Sequence, residues 1–313
     1  MFKKLEGKWV EFKGQKRLMH DGFLNLAKLG IQSLSELGNL QQFKILEEFL
    51  LGGNRISRVE GLEVLSDNLK KLDLSDNTIT KINGLESLKN LEELYLEGND
   101  IVEISGLETL TNLRILWLLS NSIFKIENLK NLTELRDLCL NFNPINKIEG
   151  LETLTKLEVL SLRGCQIEKI EGLDHLTNLK KLDLSENQIS QIDGLGNLVN
   201  LEVLSLSDNR IEKIEGMENL TELRELYIDN NKLKTTAGLE NLENIEHIDF
   251  RWNQIQDLRG LGIMKRLKWL DIGYQKNNPL KTIISELGGL SSVGYALSPQ
   301  RFVEYCHKKS LNS

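Results

Sequence analysis

An imidazole two residues from a carboxylate, His247 before Asp249, with Asp229 upstream, is the arrangement in this 313-residue sequence that comes nearest to acid–base or metal chemistry. Such chemistry needs its side chains to converge on one point. The four histidines, His20, His175, His247 and His307, have no metal-ligand spacing. No Ser/His/Asp set and no phosphate-binding loop accompanies them. The three cysteines, Cys139, Cys165 and Cys306, are too few and too widely spaced for a zinc site or a disulfide framework. The sequence therefore predicts a protein that is not an enzyme, with no cofactor and no metal, whose functional residues are organised on some other principle.

That principle is repetition. Leu69, Leu91, Leu113, Leu135, Leu157, Leu179, Leu201, Leu223, Ile245 and Leu267 follow one another at intervals of 22 residues with no insertion. The unit is plain in LKKLDLSDNTITKINGLESLKN (69–90) and LKKLDLSENQISQIDGLGNLVN (179–200). Upstream, two looser copies bring the expected number of repeats to twelve. This pattern resembles the leucine-rich repeat. The resemblance implies that each LxL segment is a short strand and that the chain returns through 3₁₀-like turns, each repeat burying its leucines only against its neighbours. The fold class expected is a leucine-rich repeat solenoid of the α/β type, with a curved parallel sheet on the concave face and 3₁₀ turns and loops on the convex face. Three regions follow: an N-terminal β-hairpin cap over 1–22, the repeats over 23–275, and a C-terminal helical cap over 276–313.

Within a strand, side chains alternate between the two faces. In LRILWLLSN (113–121), Leu116 and Leu118 point into the core, so Ile115, Trp117 and Leu119 point outward. The middle outward position runs Leu50, Asp73, Tyr95, Trp117, Cys139, Ser161, Asp183, Ser205, Tyr227, Asp249, Asp271; the one before it includes Glu93, Ile115, Asp137, Val159, His247 and Trp269. These columns vary from repeat to repeat while the leucine columns do not, so they are released from packing and available for recognition. Two groups stand out. One joins Tyr95, Ile115, Trp117, Leu119, Phe142 and Val159, rimmed by Glu93, Glu97 and Asp137. The other joins Tyr227, Trp252, Trp269 and Tyr274 with Asp229, His247, Asp249, Arg251 and Asp271. Aromatic anchors inside a charged rim are how protein–protein hot spots are built. Strand spacing is expected to hold His247, Asp249 and Asp229 apart and open to solvent.

The column Asn54, Asn77, Asn99, Asn121, Asn143, Asn187, Asn209, Asn231, Asn253 reads as structural, each amide bonding loop backbone that would otherwise be orphaned. Cys165 stands in that column as a buried structural cysteine. The sequons at Asn131 and Asn219 belong to the repeated NLT phrase and are explained by it, not by glycosylation. KWVEFKGQKRLMH (8–20) predicts a hairpin turning at Lys13, Gly14 and Gln15. LKTIISELGG (280–289) predicts a helix closed by glycine. SPQRFVEYCHKK (298–309) predicts another, with Ser298 as N-cap and Pro299 in its first turn.

The phrase QIEKIEGLDHLTNLKKL (166–182) resembles the regulatory-subunit class that binds the catalytic subunit of protein phosphatase 1 across its concave face. What the resemblance implies is that contacts run along the middle outward column, which Asp73, Tyr95, Trp117, Asp183, Tyr227, Asp249 and Asp271 occupy here, with Trp269 beside it. The chain departs from that class where Cys139, Ser161 and Ser205 are small. The family's C-terminal cap is echoed only by NNPL (277–280). Bacterial internalins share the 22-residue length. The function expected is a protein-interaction scaffold acting through its concave face, in the manner of a phosphatase regulatory subunit, with self-association as a homodimer through the same patch, or an internalin-like adhesion module, as alternatives. A net charge of −7 argues against nucleic acid or an acidic membrane as partner. The chain has no signal-like start and no 18-residue apolar run, which predicts an intracellular location, cytoplasmic or nuclear.

Overall fold

The computed structural model describes residues 9–37, 40–65, 68–276 and 280–311. The chain falls into two compact units, Met1–Pro144 and Ile145–Ser313. Twelve three-residue strands, parallel and in strict chain order, are shared between them. The first unit holds β3 (Phe23–Asn25), β4 (Glu48–Leu50), β5 (Lys71–Asp73), β6 (Glu93–Tyr95), β7 (Ile115–Trp117) and β8 (Asp137–Cys139). The second holds β9 (Val159–Ser161), β10 (Lys181–Asp183), β11 (Val203–Ser205), β12 (Glu225–Tyr227), β13 (His247–Asp249) and β14 (Trp269–Asp271). Each unit is a stretch of leucine-rich repeat solenoid.

The strands form because neighbours align in register, Leu72 opposite Leu94 and Leu182 opposite Leu204, and the middle side chain of each is sealed inside. In the repeat from 179 to 200, Leu179, Leu182, Leu184, Ile189, Ile192, Leu195 and Leu198 are all at most 1% exposed. Each such side chain contributes about 2 kcal/mol by leaving water. The return path is the expected series of tight turns, in which Leu198 N–H donates to Leu195 O at 2.9 Å and Leu201 N–H to Leu198 O at 3.0 Å. Bonds spanning three residues explain why the leucines there recur at every third position.

Two devices hold successive repeats at a fixed spacing. The first is the asparagine column. Asn187 Nδ2 donates to Leu162 O at 2.8 Å, Leu184 O at 3.0 Å and Ser185 O at 3.1 Å, while its Oδ1 accepts from Ile167 N–H at 3.0 Å. Gln275, which the sequence pattern did not single out, does the same at the end of the series, accepting from Ile255 N–H and donating to Phe250 O. Cys165 is buried in the column with its Sγ 3.9 Å from Arg163 O, a weak substitute. A further set of amides stitches the side of the return path. Asn131 Nδ2 reaches Glu108 O and Asn219 Nδ2 reaches Gly196 O, so both sequon side chains are engaged with the neighbouring repeat.

The second device is a glycine in the left-handed region. At Gly172, with φ +70°, an added Cβ would lie 2.5 Å from Ile148 O in the repeat before. In one repeat Asn128 takes this place at φ 61°, and its Nδ2 donates to Ile104 O at 2.7 Å, the equivalent carbonyl. Asparagine is tolerated there because it enters the left-handed region cheaply and turns a clash into a bond.

The ends differ from the repeats. β1 (Trp9–Phe12) and β2 (Gln15–Leu18) pair antiparallel around Lys13 and Gly14, both at positive φ as a two-residue hairpin turn requires. Gln15 opens β2 and does not belong to the turn. Residues 1–8 of the expected cap lie outside the described residues, as do 277–279 of the NNPL phrase. At the far end, α1 (Lys281–Glu286) and α2 (Pro299–Ser310) form where two helices are expected. Pro299 sits in the first turn of α2, but Ser298 makes no side-chain capping bond, a correction to its expected role as cap. Phe302, Val303 and Cys306 are buried beneath α2. Burial pushes the Cys306 thiol up to about 12, so it stays protonated and unreactive. Between the helices no residue pattern predicts a strand, yet Tyr295 bridges Asp271 antiparallel and Ala296 N–H donates to Leu270 O at 2.8 Å. That segment covers the edge of β14, which would otherwise offer unpaired backbone groups.

Asn187→Ala leaves two buried backbone groups, Leu162 O and Ile167 N–H, without their partner, since Leu184 O and Ser185 O still accept from Asn209 Nδ2 and Gly164 N–H; it should cost about 3 kcal/mol, read as a lower urea midpoint. By the same measurement, Gly172→Val should cost about 3 kcal/mol, and Gly172→Asn should be the milder change.

Candidate functional site

Every repeat sets its outward residues on one open sheet face and then turns the chain with a residue at positive φ just before the asparagine. That turning position carries Asp76, Ser120, Phe142, Glu186, Asp208, Asn230, Trp252 and Tyr274, with φ between 50° and 58°. Holding a bulky aromatic there costs about 1 kcal/mol or more. Phe142, Trp252 and Tyr274 are nonetheless about half exposed, so burial does not offset that cost.

In the first unit the rings of Tyr95 and Trp117 meet edge to face, centroids 5.1 Å apart at 85°. Trp117 Nε1–H donates to Asp137 at 3.2 Å, and the Tyr95 hydroxyl donates to Glu93 at 2.9 Å. Lys71 completes the set, 3.1 Å from Glu93 and over the Tyr95 ring. Ile115, Trp117 and Leu119 are half-buried, so the patch partly covers itself. Burial, then the Glu93 carboxylate, raises the Tyr95 phenol well above its ordinary value. Glu97 lies beside Asp73 and Asp76 with Oε2 buried and without a hydrogen bond; burial and then those two carboxylates raise its pKa. Asp73 itself accepts from Ser75 N–H at 2.9 Å. Phe142 stands at the turning position after β8, and Val159 opens β9 in the second unit.

In the second unit the aromatic series is longer and barer. Tyr227 meets His247 at 5.0 Å and 74°, and His247 lies 6.1 Å from the Trp269 ring. Trp252 and Tyr274 stack face to face, 4.4 Å apart at 5°. Trp269 is 55% exposed and Trp252 57%. The Tyr227 hydroxyl donates to Glu225 at 2.7 Å, and its pKa is raised by burial first and that bond second. Asp183, placed in the same column by the sequence, accepts from Ser185 on β10's own turn and joins neither aromatic group.

The acidic residues of this group are not where solvent would find them. Asp249 is 3% exposed and is held by Arg251, whose Nη2 lies 2.5 Å from Oδ2. Asp271 is 1% exposed; its Oδ2 lies 3.0 Å from His247 Nε2 and its Oδ1 has no partner. Asp249 is sealed and Asp229 half-buried, contrary to the solvent-open arrangement expected of them, and His247 meets Asp271, which that expectation did not include. The reason is that positions diagonal across a strand pair lie within reach of a long side chain, and the covering segment at 294–296 closes over β14. Tyr295, over which the Arg251 guanidinium sits at 5.6 Å, carried no sequence signal at all. No three His, Cys, Asp or Glu side chains among the described residues form a group able to hold a metal ion.

Asp229 accepts from Ser207 and has a raised pKa, through burial first and then the Asp249 and Asp208 carboxylates. The folded state thus binds this proton more readily than the unfolded chain. Stability from this group is present at low pH and lost as pH rises through the carboxylate range. Asp229→Asn should therefore raise the urea midpoint at pH 7, and the advantage should vanish near pH 3, below the ordinary carboxylate range.

The family pattern described as Leucine Rich repeats (2 copies) matches in overlapping pairs from residue 67 to residue 244, more than half of the chain. A protein phosphatase 1 regulatory subunit, SDS22, of Schizosaccharomyces pombe is 38% identical over 68 residues, 22% of this chain and 19% of that protein. The matched stretch thus spans about a fifth of that relative. Among solved structures, an internalin (inlF) from Listeria monocytogenes is 32% identical with a TM-score of 0.71, covering 75% of this chain and 70% of that one. Internalin C2 from the same organism is 29% identical with a TM-score of 0.53, covering 66% and 81%. With its repeats, its strand register and its asparagine column all in place, the chain belongs to the leucine-rich-repeat family.

Proposed function

We propose that this protein is a non-enzymatic scaffold that recognises a protein partner on the open face of its sheet. The observation that carries the reading is the contrast within each strand. The inward residue is always a buried apolar side chain, Leu in all strands but β4 (Phe49) and β13 (Ile248), while the outward residues vary freely and at β6 and β7 set Tyr95 against Trp117. Packing does not require those rings, since the strands with Asp183 or Ser205 in that column pair just as well. Aromatic anchors with hydrogen-bonded acidic neighbours supply area and orientation for a partner.

Two finer readings have support. The 68-residue similarity to a phosphatase 1 regulatory subunit favours the catalytic subunit of such a phosphatase as partner. The longer structural similarity to an internalin supports the alternative of an internalin-like adhesion module. Self-association through the same patch is the remaining alternative. No helix among the described residues is long and apolar enough to cross a membrane.

Trp117→Asp should fold with a urea midpoint close to the parent's and should lose partners captured by the parent from lysate. Capture of every one of those partners by the variant would sink the proposal. Isothermal titration with a purified phosphatase 1 catalytic subunit decides the finer reading. Light scattering that shows a dimer dissolved by Trp117→Asp would establish self-association instead.

A further inference from the structure

Charge in the second unit is sorted by position. On the flank of the sheet, the residues just before the outward columns run Glu158, Lys180, Glu202, Arg224, Glu246, Lys268, as many bases as acids. They pair along the series: Lys180 with Glu158 at 2.7 Å and Lys268 with Glu246 at 2.5 Å. The open face is different. Leaving aside the sealed Asp249 and Asp271, which Arg251 and His247 hold, Asp183, Glu186, Asp208, Glu225 and Asp229 stand there against Arg163 and Lys181. Arg163 is already bonded within the face, to Glu186. Flank and face belong to the same repeats, so the difference is not one of composition; the negative charge is concentrated where the side chains point outward.

The crowding has a local effect. Asp229 holds its proton more tightly than an ordinary carboxylate, through burial and the neighbouring Asp249 and Asp208. A cation arriving beside these groups relieves both repulsion and desolvation. Further along the same turning column, after Asp208 and Asn230, comes the Trp252–Tyr274 stack, with Trp252 57% exposed in spite of its left-handed backbone. An exposed indole face attracts a guanidinium or ammonium group, and most strongly where nearby carboxylates add to the field.

We propose that the open face of the second unit binds a basic segment of a partner protein, whose arginines or lysines meet the exposed Trp252 indole and, along the same face, the Asp229 and Asp208 carboxylates of the two preceding repeats. The proposal rests on the protein-recognition reading of the sheet face and adds to it the charge of the partner. An acidic or purely apolar partner would meet the excess of carboxylates over cations, whereas a basic one meets complementary charge and an aromatic ring on the same face.

The test uses the full chain and two synthetic twelve-residue peptides, one alternating arginine with serine, the other glutamate with serine, followed by tryptophan fluorescence and calorimetry. The arginine peptide should bind, more weakly as salt rises, and the glutamate peptide should not. Trp252→Ala and Asp208→Asn, each with an unchanged circular dichroism spectrum, should each weaken binding about three- to tenfold, which for Trp252 lies between an exposed and a desolvated cation–π contact. Glu246→Gln on the flank, which removes a carboxylate of equal charge, should leave affinity unchanged. Equal binding of both peptides, binding of neither, or equal losses at Trp252 and Glu246 would overturn the proposal. Partner capture that depends on Trp117 while the arginine peptide fails to bind would remove the charge assignment and leave the recognition reading standing. The reverse outcome would do the opposite.

Discussion

The side-chain amide of one asparagine per repeat is the interaction on which the remaining geometry depends. A three-residue strand has few backbone bonds of its own, and the chain must leave it sharply inside a closely packed stack. Asn187 meets that demand by donating to carbonyls of its own repeat and of the one before, and by accepting an N–H from the earlier repeat. Because those bonds reach both ways, the amide sets the spacing between repeats as well as the turn within one. Once spacing is fixed, the leucines interlock, the glycine column approaches the preceding carbonyls, and the outward residues fall into columns. The absence of the amide at Cys165 and its replacement by Gln275 show that the position tolerates variation only where another polar or small buried group fills it.

A face made of columns has a consequence for recognition. Neighbouring strands present side chains in register, so aromatic residues in successive repeats must meet: Tyr95 with Trp117, Tyr227 with His247, Trp252 with Tyr274. The scaffold thereby builds rigid aromatic rows with little further adjustment. The two rows are not alike. The first is half-buried and tied to its acidic neighbours; the second leaves two indoles largely open to solvent above buried carboxylates. Exposed, rigid, amphipathic rings lose little conformational freedom on binding, which makes them efficient anchors.

Much of the fold was legible in the residues because a 22-residue period with leucines at fixed places admits few physical solutions. A repeat that cannot bury its own leucines has to stack, and stacking dictates the parallel strands. Gln275 escaped because its chemistry equals that of asparagine while its identity breaks the pattern. The segment at 294–296 escaped because an edge-covering strand of two or three residues has no periodicity to detect. Ser298 had the right type for a helix cap, yet its side chain does not turn back onto the first turn of α2.

For the candidate site, the sequence by itself determined which residues point outward, since alternation along a strand is a matter of covalent geometry. It also determined the chemical character of the columns, aromatic in some repeats and acidic in others. Only the tertiary structure decided what those residues meet. His247 joins Asp271 rather than Asp249, Asp249 closes on Arg251, and Trp252 lies flat on Tyr274 in a left-handed turn. Such pairings depend on the lateral offset between strands and on the segment that covers the last of them. Both are set by contacts between residues far apart in the chain, which no local spacing records.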